Sequence, residues 1–213
     1  MSTYSIKAVI FDMDGVLIDA KDWHYEALNK SLSIFGLEIN RHDHLVTFDG
    51  LSTGQKLKML SKTHVLPESL HPFINEMKQQ YTMDLTYQLC KPVFHHQYAL
   101  SKLKDSGYHL AVASNSIRNT VKVMMEKSNL MQYLDFYLSN QDVSKAKPHP
   151  EIYNSAINKL GLNPKECIIV EDNENGLKAA KASGAHVLKV DSVDDVVYES
   201  IMNFIKSVEE KND

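Results

Sequence analysis

Arginine is nearly missing from this chain. Of its 23 basic residues only Arg41 and Arg118 are arginines, and the rest are lysines. An anion bound here is therefore held mainly by lysine point charges and backbone N–H groups, because the bidentate guanidinium fork is scarce. Cysteine is scarce too. Cys90 and Cys167 are the only two, and Cys167 lies in the apolar run Cys167-Ile168-Ile169-Val170. It reads as a reduced core thiol, which excludes a disulfide framework and predicts a cytoplasmic compartment. No apolar run approaches the ~20 residues that cross a bilayer. A buried-strand pattern begins by Ile6, where a signal peptide would need its apolar stretch. An excess of positive charge is also absent. The formal net charge is −4, from 23 basic and 27 acidic residues, which argues against nucleic-acid or anionic-membrane partners. Internal repeats and low-complexity tracts are missing. What remains is a chain of 213 residues, enough for one domain with an insert.

Short apolar runs recur at Ala8–Phe11, Leu110–Ala113, Phe136–Leu138, Cys167–Val170 and Val187–Val190. Runs that are apolar throughout suggest strands buried on both faces. Helix-period segments lie between them. One ends near Gly107, others cover Ile117–Lys127, Pro150–Leu160 and Leu177–Ala182, and an amphipathic segment closes the chain at Val193–Val208. The alternation predicts βαβ units and a parallel sheet. Residues 20–89 break it. They read as helices over Trp23–Phe35, Thr53–Lys62 and Pro72–Leu85, with a polar loop near Arg41–His44 and an apolar stripe of Leu28, Leu32 and Phe35. The expected architecture is α/β. A doubly wound, Rossmann-like parallel-sheet core spans 1–19 and 90–213, and a small α-helical cap domain, 20–89, is inserted after the first strand.

The richest stretch is Asp12-Met13-Asp14-Gly15 at the end of the first apolar run. Residues i and i+2 of a strand share a side, so two carboxylates project into one place and call for a cation. In open parallel sheets, sites form beyond the carboxyl ends of the strands. Other strands there end at Ser114-Asn115-Ser116 and at Glu171-Asp172-Asn173, and a lysine loop, Lys145 to Pro150, precedes a helix. Asp12, Asp14, Glu171 and Asp172 supply hard oxygens for Mg²⁺. Ser114 and nearby helix-start N–H groups can hold a phosphate, and Lys147 can neutralise it. One aspartate attacking phosphorus forms an acyl phosphate, while the second moves the proton. Taken singly, Ser114 reads as a helix N-cap and Lys147 as a solvated lysine. It is their joint occurrence, each at a strand end or helix start, that points to a site.

Asp12-Met13-Asp14-Gly15-Val16-Leu17-Ile18-Asp19 resembles the nucleophile motif of the haloacid dehalogenase superfamily. Ala113-Ser114-Asn115-Ser116 resembles its second motif, Lys147-Pro148-His149-Pro150-Glu151-Ile152-Tyr153 its third, and Val170-Glu171-Asp172-Asn173-Glu174-Asn175-Gly176 its fourth. The helical insert resembles the cap of the β-phosphoglucomutase and phosphoglycolate phosphatase branch. The resemblance implies that Asp12 is nucleophile and Mg²⁺ ligand, and that Asp14 is general acid/base and binds Mg²⁺ through its carbonyl. It further implies that Glu171 and Asp172 complete the metal site, and that Ser114, Asn115 and Lys147 bind the transferring phosphate. His24 and Thr53 are its substrate-facing cap candidates. The mutases carry Gly-x-Ser-Arg where this chain has Gly50-Leu51-Ser52-Thr53, and a threonine where it has Ala20. A mutase must grip a second phosphate, and loss of that arginine favours a phosphatase acting on a small sugar or polyol phosphate. A hexose-phosphate mutase is the alternative, and a non-catalytic binding protein on the same fold is a third. In the phosphatase reading the cap closes over the substrate, and the protein is a monomer or weak homo-oligomer. His42-x-His44 and His95-His96 read as surface or helix-boundary residues.

Overall fold

The computed structural model describes residues 4–48, 51–63 and 66–211. Strand β1 (Ala8–Phe11) leads into α1 (Lys21–Ser33), a short α2 (Arg41–Asp43), α3 (Thr53–Thr63) and α4 (His71–Leu89). Then come α5 (Phe94–Asp105), β2 (His109–Ala113), α6 (Arg118–Lys127), β3 (Phe136–Leu138) and α7 (Glu151–Leu160). The chain finishes with β4 (Cys167–Glu171), α8 (Glu174–Ala182), β5 (His186–Lys189) and α9 (Tyr198–Glu209). It divides into two compact units, one of Met1–Asp19 with Lys91–Asp213 and one of Ala20–Cys90.

In the first unit the described strands form one parallel sheet of order β3-β2-β1-β4-β5. Helices pack on both of its faces. On one, Ala8 and Ile10, Ala111 and Ala113, and Cys167 and Ile169 meet Ile152, Tyr153, Ala156 and Ile157 of α7 and Ala179 and Ala180 of α8. The alternate residues Val9, Phe11, Leu110, Val112, Ile168 and Val170 are equally buried, on the opposite face. This is why the strands are apolar throughout. Burying Val9, Ile10 and Phe11 contributes about 1.5–3 kcal/mol per side chain, which anchors the desolvated residues that follow them.

The second unit has its own core, in which Leu28 and Leu32 of α1 meet Leu57 and Leu60 of α3, Ile74 of α4, and Ile39, Phe48 and Leu66. Phe35, expected in the same stripe, is packed against that core and partly buried.

Several elements differ from the sequence expectation. Residues 41–44 are helical, not a loop. Asn40 caps α2 by accepting from the Asp43 N–H, and the chain runs on through a π-helical turn, His44–Phe48. Helix α4 extends to Leu89, since no breaker intervenes before Pro92. The closing segment is a 3₁₀ turn, Val193–Asp195, followed by α9, because Ser192 and Asp195 form a capping box around the turn. His44 and His96 are buried, and His96 Nε2 lies 2.8 Å from the Val193 carbonyl oxygen. Both cysteines are buried thiols outside any disulfide. Among the described residues, no helix is long and apolar enough to cross a membrane.

Candidate active site

Strand register brings the acidic residues to one level. Phe11 pairs with Val112 on one side and Val170 on the other. The next residues outward are therefore Asp12, Ala113 and Glu171, followed by Met13, Ser114 and Asp172. Because side chains alternate along a strand, Asp12 follows Ala8 and Ile10 onto the α7–α8 face, and Glu171 follows Cys167 and Ile169 onto it.

Lys147, in the loop before α7, stands between the two carboxylates. Its Nζ donates to Asp12 Oδ1 at 2.6 Å and to Glu171 Oε2 at 2.9 Å. Asp12, Lys147 and Glu171 are 7%, 4% and 0% exposed, so water does little to solvate the charges. Desolvation costs several kcal/mol per buried ion and is offset only where the remaining lone pairs are also satisfied. Glu171 meets that condition. The Tyr153 hydroxyl donates to Oε2, and the N–H groups of Asp172 and Asn173 donate to Oε1 at 3.2 and 3.3 Å. The Lys147 ammonium also lies 4.6 Å from the centroid of the Tyr153 ring, a cation–π contact. Gly176, in the first turn of α8, closes the arrangement. A Cβ there would sit 2.0 Å from the Glu171 carboxyl carbon, so no other residue fits without displacing the carboxylate.

Asp172 lies beside this pair, and one oxygen each from Asp12, Glu171 and Asp172 fall within 4.8 Å of one another. Two oxygens on the same Mg²⁺ are at most about 4.2 Å apart. The group therefore fits a small hard cation with slight side-chain adjustment. Electrostatics agree. Burial, followed by the charge of Glu171, pushes the Asp12 carboxyl well above the ordinary range despite the pull of Lys147. Burial opposes the charge on Lys147, but Asp12 and Glu171 outweigh it and hold the ammonium above its usual value. The neighbouring carboxylates add to the effect of burial on Asp12 and oppose it on Lys147, so further positive charge would relieve the cluster.

Beyond Asp12 the backbone turns at Gly15, whose φ of +89° is open to glycine without strain, and the Gly15 N–H donates to the Ile18 carbonyl at 2.7 Å. Ser116 Oγ donates to Asp14 Oδ2 at 2.8 Å, and Ser114 Oγ accepts from the Ser116 N–H at 3.0 Å. Ser114 is thus not the cap of α6; Ile117 occupies that position. The Asn115 carboxamide is spent on the lysine loop, with Oδ1 accepting from the Lys147 N–H at 3.1 Å and Nδ2 donating to the Lys147 carbonyl at 3.4 Å. Of the residues singled out from the sequence, Asp12, Asp14, Ser114, Asn115, Lys147, Glu171 and Asp172 all lie at the carboxyl edge of the sheet.

His24 and Thr53 belong to the helical unit. His24 Nδ1 lies 3.1 Å from Lys78 Nζ, which joins α1 to α4. Thr53 is the first residue of α3, just after Ser52, which exchanges hydrogen bonds with Gln55 in a reciprocal cap. Gly50 lies outside the described residues.

Tyr153, Ser116 and Gly176 lie in the motifs, but the sequence assigns them no role. Two of them carried a signal. A tyrosine on a helix face with Ile152, Ala156 and Ile157 is buried, and a buried hydroxyl needs a partner. A glycine in the first turn of a helix weakens it unless another group approaches closely. Ser116 carried none.

A family model described as haloacid dehalogenase-like hydrolase matches residues 9–190. A phosphorylated carbohydrates phosphatase from Thermotoga maritima is 26% identical over 95% of this chain and 100% of its own length. A phosphoglycolate phosphatase from Aquifex aeolicus is 28% identical over 84% of this chain and 82% of its own. The crystal structure of β-phosphoglucomutase from Clostridium difficile superposes with a TM-score of 0.81, at 24% identity, over 95% of this chain and 98% of that one. The last likeness concerns the fold alone.

Proposed function

Because the chain belongs to the haloacid dehalogenase-like hydrolases, in the branch of the β-phosphoglucomutases and phosphoglycolate phosphatases, we propose that it is a Mg²⁺-dependent phosphatase using a phospho-aspartate intermediate. Its substrate is a small sugar or polyol phosphate. The observation that carries this reading is Asp12 itself, a buried carboxylate at a strand end with an ammonium 2.6 Å away and a group of further carboxylates beside it.

Asp12 attacks phosphorus with a carboxylate oxygen, and the ester P–O bond breaks. Asp14 gives its proton to the leaving oxygen. Asp14 then takes a proton from the water that attacks the phospho-aspartate, releasing orthophosphate and regenerating the Asp12 carboxylate. The Ser116 hydroxyl steadies Asp14 for both transfers. Ser114 and the Lys147 ammonium bind the phosphoryl oxygens, and Asn115 keeps the lysine loop in register. Asp12, Glu171, Asp172 and the Asp14 carbonyl would hold Mg²⁺, which when bound draws negative charge away from the transferring group. The helical unit selects the substrate, with His24 and Thr53 as its contact residues. A cytoplasmic location is supported by two buried thiols that form no disulfide.

Thr53 supports hydrolysis over mutation of a sugar phosphate, because a neutral side chain cannot replace an arginine fork on a second phosphate. The test is orthophosphate release across phosphorylated sugars, polyols and glycolytic acids, with and without Mg²⁺, in the wild type and Asp12→Asn. Turnover that needs Mg²⁺ and falls by roughly 10⁴ or more in the variant is expected. Turnover retained by Asp12→Asn removes the mechanism.

A further inference from the structure

Helix α5 carries a second line of side chains away from its buried face. His96, Ala99, Leu100 and Leu103 are its buried residues, one stripe at helical spacing. By the same spacing Phe94, Tyr98 and Asp105 fall on the opposite side, with Lys102 at its edge. Phe94 is 80% exposed, and no large apolar side chain among the described residues is more so. Tyr98 stacks beside it with ring centroids 6.2 Å apart, and Tyr198 of α9 meets Tyr98 edge-on at 6.1 Å. The Lys102 ammonium lies 5.9 Å from the Tyr98 centroid. A helix on a sheet needs one apolar face, so aromatic rings on the other gain nothing within a single copy of the chain.

The order of these residues is self-complementary about Tyr98. Phe94 lies four residues before it and Lys102 four after, while Lys91 lies seven before and Asp105 seven after. We propose that this face of α5 is the interface of an isologous dimer, in which a second copy of the chain crosses it antiparallel at Tyr98. Around a two-fold axis, residues at equal distances on either side of it meet. The two Tyr98 rings then face each other, Phe94 meets the partner's Lys102, and Lys91 meets the partner's Asp105. These contacts are an aromatic pair, a cation on an aromatic face and an ion pair, and symmetry makes the last two occur twice. Lys91 and Asp105 are both exposed. Lys91 stands just before the helix, and its long stem makes up the difference in level. Phe94 and Tyr98 expose roughly 250 Å² of aromatic surface per copy, well under the ~800 Å² per partner of a standard interface. The dimer is therefore weak and concentration-dependent, with a dissociation constant on the order of 100 µM.

Sedimentation velocity of the full chain from about 5 to 500 µM, a range that brackets this constant, tests the proposal. The wild type should pass from monomer to dimer across it. Phe94→Ser should weaken the dimer by about tenfold or more, because each buried ring is lost twice. Lys91→Asp and Asp105→Lys should each weaken it by about fivefold or more, since each sets like charges together at two places. Mixed in equal amounts, these two variants should form a heterodimer at least as tight as the wild-type dimer, because both charged contacts then join opposite signs. Thermal unfolding checks that each variant is folded, and the charge variants still decide if Phe94→Ser is not. A wild type that stays monomeric throughout overturns the proposal, including the case in which the stripe receives a different macromolecule. A dimer indifferent to Phe94→Ser lies elsewhere on the surface and overturns it equally. A mixture that associates no better than either charge variant alone overturns the antiparallel crossing at Tyr98.

Discussion

The carboxyl edge of the sheet and the helical unit Ala20–Cys90 are built on opposite principles. At the sheet edge, Asp12, Lys147 and Glu171 are buried charges, pinned by partners from distant parts of the chain. Lys147 alone bridges Asp12 and Glu171, which lie 135 and 24 residues away. The helical unit is built around an apolar core of leucines and isoleucines with Phe48, to which the His24–Lys78 contact between α1 and α4 adds a polar link. Its candidate polar residues ride on helix faces and starts. A site pinned by polar groups has one chemistry and tolerates little change. A unit held by apolar packing can vary its polar surface at small cost in stability.

The largest effect expected from this difference follows Lys147→Met. The substitution keeps the apolar stem but removes the cation that Asp12 and Glu171 share. Breaking a buried ion pair costs about 3–5 kcal/mol, and the lower end is expected because the freed carboxylates can take up protons. Thermal or urea unfolding at neutral pH should show a loss of about 3 kcal/mol, partly recovered in millimolar Mg²⁺, because a ligand that binds only the folded state stabilises it. Lys78→Met in the helical unit, where Lys78 Nζ lies 3.1 Å from His24 Nδ1, should cost less, about 1 kcal/mol. Equal losses in the two variants would collapse the distinction between the regions.

One substitution made twice should sharpen it further. Gly176→Ala drives a Cβ to 2.0 Å from the Glu171 carboxyl carbon, whereas Gly54→Ala in α3 meets nothing within 4 Å. Overpacking costs about 1–3 kcal/mol, so Gly176→Ala should destabilise by that amount and disturb the Glu171–Lys147 pair. Gly54→Ala should stabilise by up to about 1 kcal/mol, since alanine favours the helix and no contact opposes it. Opposite signs are the expected outcome in denaturant unfolding, and a common sign refutes the close approach at Gly176.

What could be read from the sequence follows the same division. The strands were legible because Ala8–Phe11 and Cys167–Val170 are buried on both faces and therefore apolar without interruption. The acidic residues at their ends stood out because a parallel sheet aligns strand ends. Tyr153 and Gly176 were not assigned roles, because each looks ordinary alone and acquires its meaning from Glu171, a residue on another element. In the helical unit, residues 41–44 resembled a loop by polarity alone. Asn40 at the cap position was the local signal that they start a helix. His96 looked like a boundary residue because its partner, the Val193 carbonyl, is 97 positions away.

A smaller effect belongs to the amino edge of the same sheet, where polar pinning recurs without chemistry. Asp135 accepts from Lys104, from His109 Nδ1 at 3.1 Å and from the Leu110 N–H at 3.0 Å, which ties α5 and β2 to the start of β3. Burial works against its charge, but the hydrogen bonds from Lys104, the Leu110 N–H and His109 outweigh it and hold the carboxyl below the usual range. A depressed value in the folded state means stability that is present above the unfolded value, near 4, and lost as pH falls through the folded one. Asp135 is partly exposed, so Asp135→Asn should cost only about 1 kcal/mol at pH 7. The gap between wild type and variant should close on acidification below about pH 4. A gap independent of pH from 7 to 3 would show that the carboxylate charge contributes nothing.

The smallest change in stability is expected from Thr53→Arg, and it carries the most information about selectivity. Thr53 opens α3 behind the Ser52–Gln55 cap, which does not depend on its side chain. An arginine at a helix start meets the positive end of the helix dipole and should cost about 0.3–1 kcal/mol. If the helical unit alone distinguishes a hydrolase from a mutase, this side chain should lower the KM for a sugar bisphosphate relative to the monophosphate, because it adds a bidentate cation for the second phosphate. With β-glucose 1-phosphate and a bisphosphate primer, the ratio of glucose 6-phosphate to free phosphate then measures how far the reaction has moved from hydrolysis toward transfer. An unchanged KM ratio would mean that Thr53 does not face the substrate. The selectivity would then have to come from elsewhere in the helical unit, with the His24–Lys78 pair as the next place to substitute.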